Sequence, residues 1–480
     1  MSFLEEIEKE LNKTKTENDA NALKSTGNEC LNLFGQLGAL RNREYVEIQR
    51  LFVRAYNEEP LLAMKMLFYL RDIRGMGLGE RKVFNEALNL FAKLHSKSIK
   101  KNIDLIPFFG RWDDLFCLLE TPVEKEMINL IKSQLDEDLE SDNPSLLGKW
   151  MKSENTSNKE SKKIAHKLRK GLGLSHKDYR KMLSKLRKKI DIVERNMSNN
   201  EWKEINYEKV PSNAMNKYRN AFKIRDELRF KKYIDDVKEG TKKINSGTLF
   251  PYDITYKIAK GEYSDVLDEQ WKALPNYIEG ENNMLVMADV SGSMRGVPIA
   301  TSVGLAIYFA EKNKGAYHNK FMTFSQNPQL VTISGDTITE KYRSVSRADW
   351  NMNTDLERAL LNILKVAIDN NLEQSELPKS LIIITDMQFD GCVSNANDDT
   401  FYDKMKQCYN NKDYEVPNIV FWNVDSRSDT FQTNSLQEGV QLASGHSASV
   451  FNSVIKNINL TPLTAMLNTL NDERYDCVSI

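Results

Sequence analysis

The residues best suited to chemistry in this sequence are Asp289, Ser291 and Ser293, which alternate with Val290 and Gly292. They follow the apolar run 284–288, which has the length of a buried parallel strand, and they precede a run from 298 whose apolar spacing suits a helix. We therefore expect a loop that presents one carboxylate and two hydroxyls. Oxygen ligands of this kind are those that Mg²⁺, Mn²⁺ or Ca²⁺ require. The alternative is a turn in which these side chains only cap the following helix.

This Asp-x-Ser-x-Ser spacing resembles the metal-ion-dependent adhesion site of von Willebrand factor A domains. In that family the two serines bind the metal, and a threonine and a second aspartate from later loops complete the site. Thr354 lies just before the helical run 356–367, and Asp386 directly follows the apolar run 380–385. The resemblance implies a divalent-metal site, with Mg²⁺ or alternatively Mn²⁺ or Ca²⁺, formed by Asp289, Ser291, Ser293, Thr354 and Asp386.

One part of this sequence departs from the pattern of the A-domain family. Met387 and Gln388 follow Asp386 at a place where many A domains carry glycine. We expect a reshaped loop that keeps its carboxylate. The five ligands leave at least one coordination position to water or to an outside group, such as a partner's carboxylate or an RNA phosphate.

Length and composition indicate an ordinary globular protein of several domains. The 480 residues are too many for one core, and 40% hydrophobic with 28% charged residues is typical of soluble proteins. No run of eighteen apolar residues occurs, and the amino terminus predicts a charged helix over 3–16 instead of a signal peptide. The five cysteines include no Cys-x-x-Cys pair. We therefore expect a cytoplasmic protein with reduced thiols.

The small net charge hides a marked asymmetry along the chain. Residues 281–480 carry 16 Lys or Arg against 24 Asp or Glu, whereas the first 280 residues carry 51 against 44. Within 149–189 there are 15 basic residues and three acidic ones. Such a cluster suits a polyphosphate ligand, although many charge runs are only solvated helix faces. The candidate RNA-binding residues are Lys162, Lys163, Lys167, Arg169, Lys170, Arg180, Lys181, Lys185, Arg187 and Lys188.

The first 280 residues are predicted to be almost entirely helical. Short apolar-periodic segments recur without a fixed period, which favours a diverged α-helical repeat of the HEAT-like solenoid or ring type. The predicted helices are 45–57, 61–71, 80–95, 102–106, 112–118, 123–135, 212–222 and 224–238.

The last 200 residues are predicted to form a doubly wound α/β domain. Ligands of such sheets bind beyond the carboxyl ends of the strands, where the three metal loops should meet. The predicted strands are 284–288, 319–324, 329–333, 380–385, 418–423 and 447–451, and the predicted helices are 298–313, 356–370, 399–409 and 462–470.

Catalytic patterns are weak in this sequence. The five histidines are isolated, with no pair at metal-ligand spacing, and Ser291 lacks the Gly-x-Ser-x-Gly setting of a hydrolase nucleophile. We therefore expect a protein that is not an enzyme.

A second resemblance spans nearly the whole chain. The segments 71–81, 110–115, 210–215, 289–294, 385–390 and 417–423 resemble successive signatures of an uncharacterised family, domain of unknown function 2828, which occurs in plants, large DNA viruses and some bacteria or phages. The order of helical repeats and then an A domain is also distantly similar to the Ro autoantigen proteins, whose TROVE module is a ring of helical repeats closed by an A domain.

These resemblances imply a domain plan and two functional classes. The expected domains are a helical extension (1–24), a TROVE-like helical repeat (25–280) and an A-like domain with the metal site (281–480). By analogy with Ro proteins, the first class is an RNA-binding ribonucleoprotein component, whose basic helices contact phosphates. The alternative is a protein-interaction or assembly scaffold, possibly viral, that recruits an acidic partner through the metal. Ring closure favours a monomer, and no membrane association is expected.

Overall fold

The structure, a computed structural model, describes residues 3–190, 192–278, 283–323, 328–348, 356–389 and 401–480. The chain packs as two compact units, each made of two segments. Unit 1 contains Met1–Glu59 and Ile244–Asp472, and unit 2 contains Pro60–Lys243 and Glu473–Ile480. The domain boundaries expected after residues 24 and 280 are based on sequence motifs, whereas these two units are defined by packing. The expected boundaries therefore stay predictions.

The first segment of unit 1 combines three helices with a small hairpin. Its elements are α1 (Phe3–Asn12), β1 (Lys13–Lys15), β2 (Asn21–Leu23), α2 (Glu29–Phe34) and α3 (Tyr45–Glu58). The single helix predicted over 3–16 is wrong beyond Asn12, because Lys13–Lys15 pairs antiparallel with Asn21–Leu23. Thr16 closes the hairpin: its backbone N–H donates to the Ala20 carbonyl oxygen at 2.9 Å, and its Oγ1 accepts from Ala20 N at 3.0 Å.

Unit 2 is a set of short helices, as the apolar periodicity predicted. These are α4 (Pro60–Arg71), α5 (Lys82–Leu94), α6 (Ser96–Lys101), α7 (Leu105–Phe109), α8 (Glu124–Glu140), α9 (Leu147–Trp150), α10 (Lys159–Gly171), α11 (His176–Lys189), α12 (Val193–Ser198), α13 (Ser212–Arg225) and α14 (Glu227–Lys238). The predicted segment 112–118 is a 3-10 helix.

The two basic helices of unit 2 have clear starts and narrow apolar stripes. The Asn158 side chain accepts from Ser161 N and caps α10, and the Ser175 side chain accepts from Asp178 N and caps α11. Helix α10 buries Ala165 and Leu168, and α11 buries Tyr179, Leu183 and Leu186. A stripe this narrow leaves most of the surface of each helix to polar side chains.

The second segment of unit 1 contains the main sheet. Its helices are α15 (Pro251–Ala259), α16 (Asp265–Lys272), α17 (Val297–Lys312), α18 (Ile338–Ser346), α19 (Leu356–Asp369), α20 (Phe401–Asn410), α21 (Phe451–Lys456) and α22 (Pro462–Leu470). Its strands are β3 (Met284–Ala288), β4 (Lys320–Thr323), β5 (Leu330–Thr332), β6 (Ser380–Thr385), β7 (Asn418–Asn423) and β8 (Val440–Ser444).

The strand order β5-β4-β3-β6-β7-β8 places β3 beside β6 at the centre of this sheet. All neighbouring pairs are parallel except β4 with β5. Ala288 is in register with Ile384, so the two strands end at the same edge. Every residue of β3 and β6 is buried, which explains their continuous apolar sequences. The architecture is therefore mixed α/β, with a mainly helical amino-terminal region and a parallel-rich sheet toward the carboxyl end.

One predicted strand of this sheet is wrong. Residues 447–451 form a 3-10 helix, Ala448–Val450, and the start of α21, because the Ser447 hydroxyl accepts from Ser449 N and initiates a turn. The last strand is instead β8, which the sequence analysis missed. No helix among the described residues has both the length and the apolar character needed to cross a membrane.

Candidate functional site

Asp289 is the first residue after β3, and it organises the loop that follows. Its side chain is buried, Oδ1 accepts from the Ser291 backbone N–H at 2.8 Å, and Oδ2 accepts from the Thr385 hydroxyl at 2.8 Å. The hydroxyl oxygens of Ser291 and Ser293 lie 2.9 Å apart. The sequence pattern thus brings one carboxylate and two hydroxyls together beyond the carboxyl end of the strand.

Asp386 is the first residue after β6, the strand next to β3. Oδ1 accepts from Gln388 N at 3.2 Å. Oδ2 is buried and has no hydrogen-bond partner among the described residues; Nη2 of Arg427 approaches it to 3.8 Å. A buried carboxylate oxygen without a donor is costly unless a cation compensates it. This atom is therefore a natural position for a bound cation.

The electrostatics of the two carboxyl groups agree with this interpretation. Burial raises the pKa of Asp289 to about 6, and the charge of Asp386 adds to the shift. Burial also raises the pKa of Asp386, although the Ser293 hydroxyl and Arg427 act in the opposite direction. Two buried carboxylates that repel each other would both ionise more easily next to a divalent cation. The described part of the predicted ligand set, Asp289, Ser291, Ser293 and Asp386, fits a hard divalent cation.

Part of the predicted ligand set is not tested by this geometry. Thr354 lies outside the described residues. No group of three or more His, Cys, Asp or Glu side chains suitable for a metal occurs in the described ranges. The predicted set is of another kind, since it contains only two carboxylates and otherwise uses hydroxyl oxygens.

The loop that follows Asp386 is shaped by Met387 and Gln388. Met387 adopts a φ of 66°, the left-handed region in which glycine is common. Gln388 accepts at Oε1 from the backbone N–H of Glu17 at 2.8 Å, and its Nε2 donates to Ser428 Oγ at 3.1 Å. The amino-terminal hairpin turn thus holds the loop that carries Asp386. The sequence offered no signal for this contact.

Arg427 also belongs to the candidate site, and the sequence analysis did not predict it. It lies in the loop after β7, where its Nε donates to Asp425 Oδ2 at 3.2 Å and its Nη2 donates to the Ser293 carbonyl oxygen. This loop is anchored by the first segment of unit 1: the Ser426 hydroxyl donates to Gln36 Oε1 at 2.6 Å, and Asn42 Nδ2 donates to Asp425 Oδ1 at 3.0 Å. Residues far apart in sequence therefore fix the guanidinium beside Asp386.

The predicted RNA-binding residues all lie on α10 and α11 in unit 2. They separate into two groups by their contacts. Arg169 pairs with Glu154 at 2.8 Å, Lys167 pairs with Glu120 at 2.5 Å, and Arg187 donates to the carbonyl oxygens of Gly148 and Met151. The exposed members are Lys162, Lys163, Lys170, Arg180, Lys181, Lys185 and Lys188.

A groove of about 670 Å³ lies between these helices. The side chains that line it are predominantly basic, and its single carboxylate is Glu154. The lining residues are Glu154, Asn155, Lys159, Lys162, Lys163, His166, His176 and Arg180. The structure thus collects three of the predicted residues, Lys162, Lys163 and Arg180, around one cavity. Lys181, Lys185 and Lys188 do not line it.

The two histidines of the groove correct one sequence-based interpretation. His166 and His176 were considered isolated, but their ring centroids lie 6.4 Å apart because α10 and α11 bring them together. Only the tertiary packing of the two helices brings these rings into proximity, so the spacing of ten residues in sequence could not reveal it.

Comparison with known proteins identifies the family but no activity. The model of a domain of unknown function, DUF2828, matches residues 16–178 and 149–284, and that of another, DUF7788, matches residues 283–473. The chain is also similar to "Uncharacterized protein L728" of Acanthamoeba polyphaga mimivirus, with 30% identity over an alignment of 501 residues that covers 95% of this chain and 86% of the viral protein. The chain therefore belongs to the DUF2828 family.

Proposed function

We propose that this protein is a non-enzymatic, Ro-like RNA-binding protein whose helices α10 and α11 contact RNA phosphates. The observation that carries the proposal is the groove between these helices, which gathers Lys159, Lys162, Lys163 and Arg180 around a single acidic side chain. Phosphate contacts by Lys and Arg supply most of the sequence-independent affinity for nucleic acids. Lys181, Lys185 and Lys188 are further exposed basic residues of α11, outside the groove.

The second part of the proposal is an A-like domain that holds Mg²⁺, or Mn²⁺ or Ca²⁺, at Asp289, Ser291, Ser293, Thr354 and Asp386. Three features of unit 1 support it: the parallel pairing of β3 with β6, the position of Asp289 and Asp386 directly after these strands, and the buried Oδ2 of Asp386. The cation would neutralise the two carboxylates and complete the loop. In this proposal the bound cation stabilises the domain or binds an anionic ligand.

The RNA-binding proposal is tested with two variants of equal charge change. The groove variant combines Lys162→Gln, Lys163→Gln and Arg180→Gln. The control combines Lys365→Gln, Lys406→Gln and Lys456→Gln, three exposed residues of unit 1. We expect the groove variant to lose at least about tenfold in affinity for a fluorescent single-stranded RNA at 100 mM salt, and the control to bind like the unmodified protein. Equal binding by all three proteins would refute the proposal.

A second candidate function is supported by the orphaned Oδ2 of Asp386. A metal bound there could recruit an acidic protein partner, which would make the chain an interaction or assembly scaffold. In that case Asp289→Ala with Ser291→Ala should abolish capture of the partner and leave RNA affinity intact. A partner retained equally well in excess chelator would count against this candidate.

A further inference from the structure

The groove contains an arrangement of side chains that a merely basic helix face would not need. Glu154 has a side chain only 10% exposed, and its two oxygens lie 2.8 Å from Arg169 Nε and 2.8 Å from His176 Nδ1. Burial opposes ionisation of this carboxyl, but the hydrogen bonds from His176 and Arg169 outweigh it and lower the pKa of Glu154. Glu154 therefore acts as a fixed, paired anion that positions the groups around it.

The hydrogen bonds define which ring nitrogen each histidine presents. His176 donates its Nδ1 hydrogen to Glu154, so its Nε2 donates to a phosphate oxygen when the ring carries a hydrogen on both nitrogens. Arg169 Nη2 lies 3.3 Å from His166 Nδ1, and because a guanidinium has no acceptor, His166 Nδ1 must accept. The hydrogen of a neutral His166 is then on Nε2. Both imidazoles line the groove, and neither Nε2 has a hydrogen-bond partner within the described part of the chain.

The fixed charges in the groove favour a ligand of high charge density. Lys159, Lys162, Lys163 and Arg180 supply four positive charges, whereas Glu154 is already paired. One phosphodiester carries a single negative charge, but a phosphomonoester carries about 1.5 to 2 near neutral pH and has three terminal acceptor oxygens. A cavity of about 670 Å³ is large enough to admit a phosphate with an attached nucleoside.

From these observations we infer that the groove is a binding site for a phosphomonoester, in which Lys163, Arg180, His166 and His176 contact one terminal phosphate. The inference rests on the proposed function and deepens it, since the end of an RNA strand is one source of this group. A free mononucleotide is another source with the same chemistry. Along an RNA, the exposed Lys181, Lys185 and Lys188 would contact the internal phosphates.

The first test compares two RNAs of identical sequence, one with a terminal phosphate and one with a terminal hydroxyl. We expect about tenfold tighter binding of the phosphorylated RNA, measured by fluorescence anisotropy. The preference should disappear in the variant Lys163→Gln, His166→Gln, His176→Gln and persist in the control Lys181→Gln, Lys185→Gln, Lys188→Gln. Equal affinity for both RNAs in the unmodified protein would overturn the inference and leave the RNA-binding proposal standing.

The second test does not depend on RNA binding. In ¹⁵N spectra of the full chain, inorganic phosphate should shift the Nε2 signals of His166 and His176, whereas chloride at the same ionic strength should not. Identical responses to phosphate and chloride would overturn the inference even if RNA binds elsewhere. If phosphate shifts these signals but RNA does not bind, the proposed function fails and the phosphomonoester site stands. Adenosine monophosphate that binds tighter than phosphorylated RNA would assign the site to free nucleotides.

Discussion

Arg427 Nη2 lies 3.8 Å from Asp386 Oδ2, the buried carboxylate oxygen for which the described residues provide no hydrogen bond. The guanidinium is thus close enough to attract this oxygen but too far to satisfy it. Asp386 and Asp289 are therefore two buried carboxyl groups whose mutual repulsion Arg427 compensates only in part. A divalent cation bound between their loops would complete that compensation.

The first prediction concerns Asp386→Asn. Since burial raises the pKa of Asp386, the ionised carboxylate is disfavoured in the folded protein at neutral pH. The substitution should raise the free energy of unfolding measured in chelator, and it should remove any stabilisation by Mg²⁺ or Mn²⁺. Thermal unfolding with metal and with chelator measures both effects. A variant that metal still stabilises as much as the unmodified protein would exclude Asp386 as a ligand.

The second prediction concerns pH and the buried His446. Burial lowers the pKa of His446 to about 3, and the charge of Arg41 acts in the same direction. In the unfolded chain the imidazole of His446 takes up a proton near pH 6.5. Its contribution to the free energy of unfolding is therefore fully present above pH 6.5 and is lost as the pH falls toward 3. Between pH 7 and pH 5 this loss should be about 2 kcal/mol.

The measurement for His446 is urea unfolding at pH 7 and pH 5, compared between the unmodified protein and His446→Gln. The comparison with the variant is needed because other groups also make stability depend on pH. Burial raises the pKa of Asp253 from 3.8 to about 6, so this group makes the free energy of unfolding rise as the pH falls from 6 to 3.8. The variant should lack the loss assigned to His446, whose Nδ1 lies 2.9 Å from Thr301 Oγ1. Equal pH dependence in both proteins would contradict the assignment.

The third prediction concerns the anchoring of the loop that carries Arg427. Arg43 has a side chain only 2% exposed and lies 2.9 Å from Asp429, whereas Arg50 is 45% exposed and lies 2.7 Å from the same carboxylate. Arg43→Met should lower the free energy of unfolding by about 2 kcal/mol, because it removes a buried guanidinium that also donates to Gln36 Oε1 at 3.0 Å and pairs with Glu47 at 3.1 Å. The matched variant Arg50→Met should lose less than about 1 kcal/mol. Similar losses in chemical denaturation would contradict the distinction.

The fourth prediction concerns the salt dependence of RNA binding. Each phosphate contact with single-stranded RNA contributes about 0.7 to the slope of log affinity against log salt. The variant Lys162→Gln, Lys163→Gln, Arg180→Gln should therefore lower the magnitude of this slope by about 2. Titrations at four salt concentrations give the slope. An unchanged slope with weaker binding would mean that these residues act through folding and not through phosphate contact.

Regular elements with strong local patterns could be predicted from the sequence. The strands β3, β6 and β7 have the predicted bounds because buried parallel strands are continuous apolar runs. Strand β8 was missed because its sequence, Val-Gln-Leu-Ala-Ser, is not a continuous apolar run. Its polar residue Gln441 is buried because its Nε2 donates to the carbonyl oxygens of Asn457 and Leu460. The hairpin at Lys13–Lys15 was missed for a similar reason, because its short, charged strand has no apolar alternation.

The residues of the candidate sites were also predictable only where a local sequence pattern positions them. Asp289 and Asp386 were predictable because each directly follows a recognisable strand. Arg427 was not, since its position depends on a loop held by Gln36 and Asn42, almost 400 residues earlier in the chain. The basic tract was predictable from composition, but the distinction between the groove residue Arg180 and the structurally engaged Arg187 required the packing of α10 and α11.

Photo-crosslinking can show whether RNA lies in the groove between α10 and α11. The protein is purified from its natural cell without nuclease, irradiated, and digested, and the peptides that carry nucleotides are identified by mass spectrometry. The proposal predicts crosslinks on peptides from residues 154–188, with loss of signal in the variant Lys162→Gln, Lys163→Gln, Arg180→Gln. A protein free of crosslinked RNA, or crosslinks confined to peptides outside this tract, would contradict it.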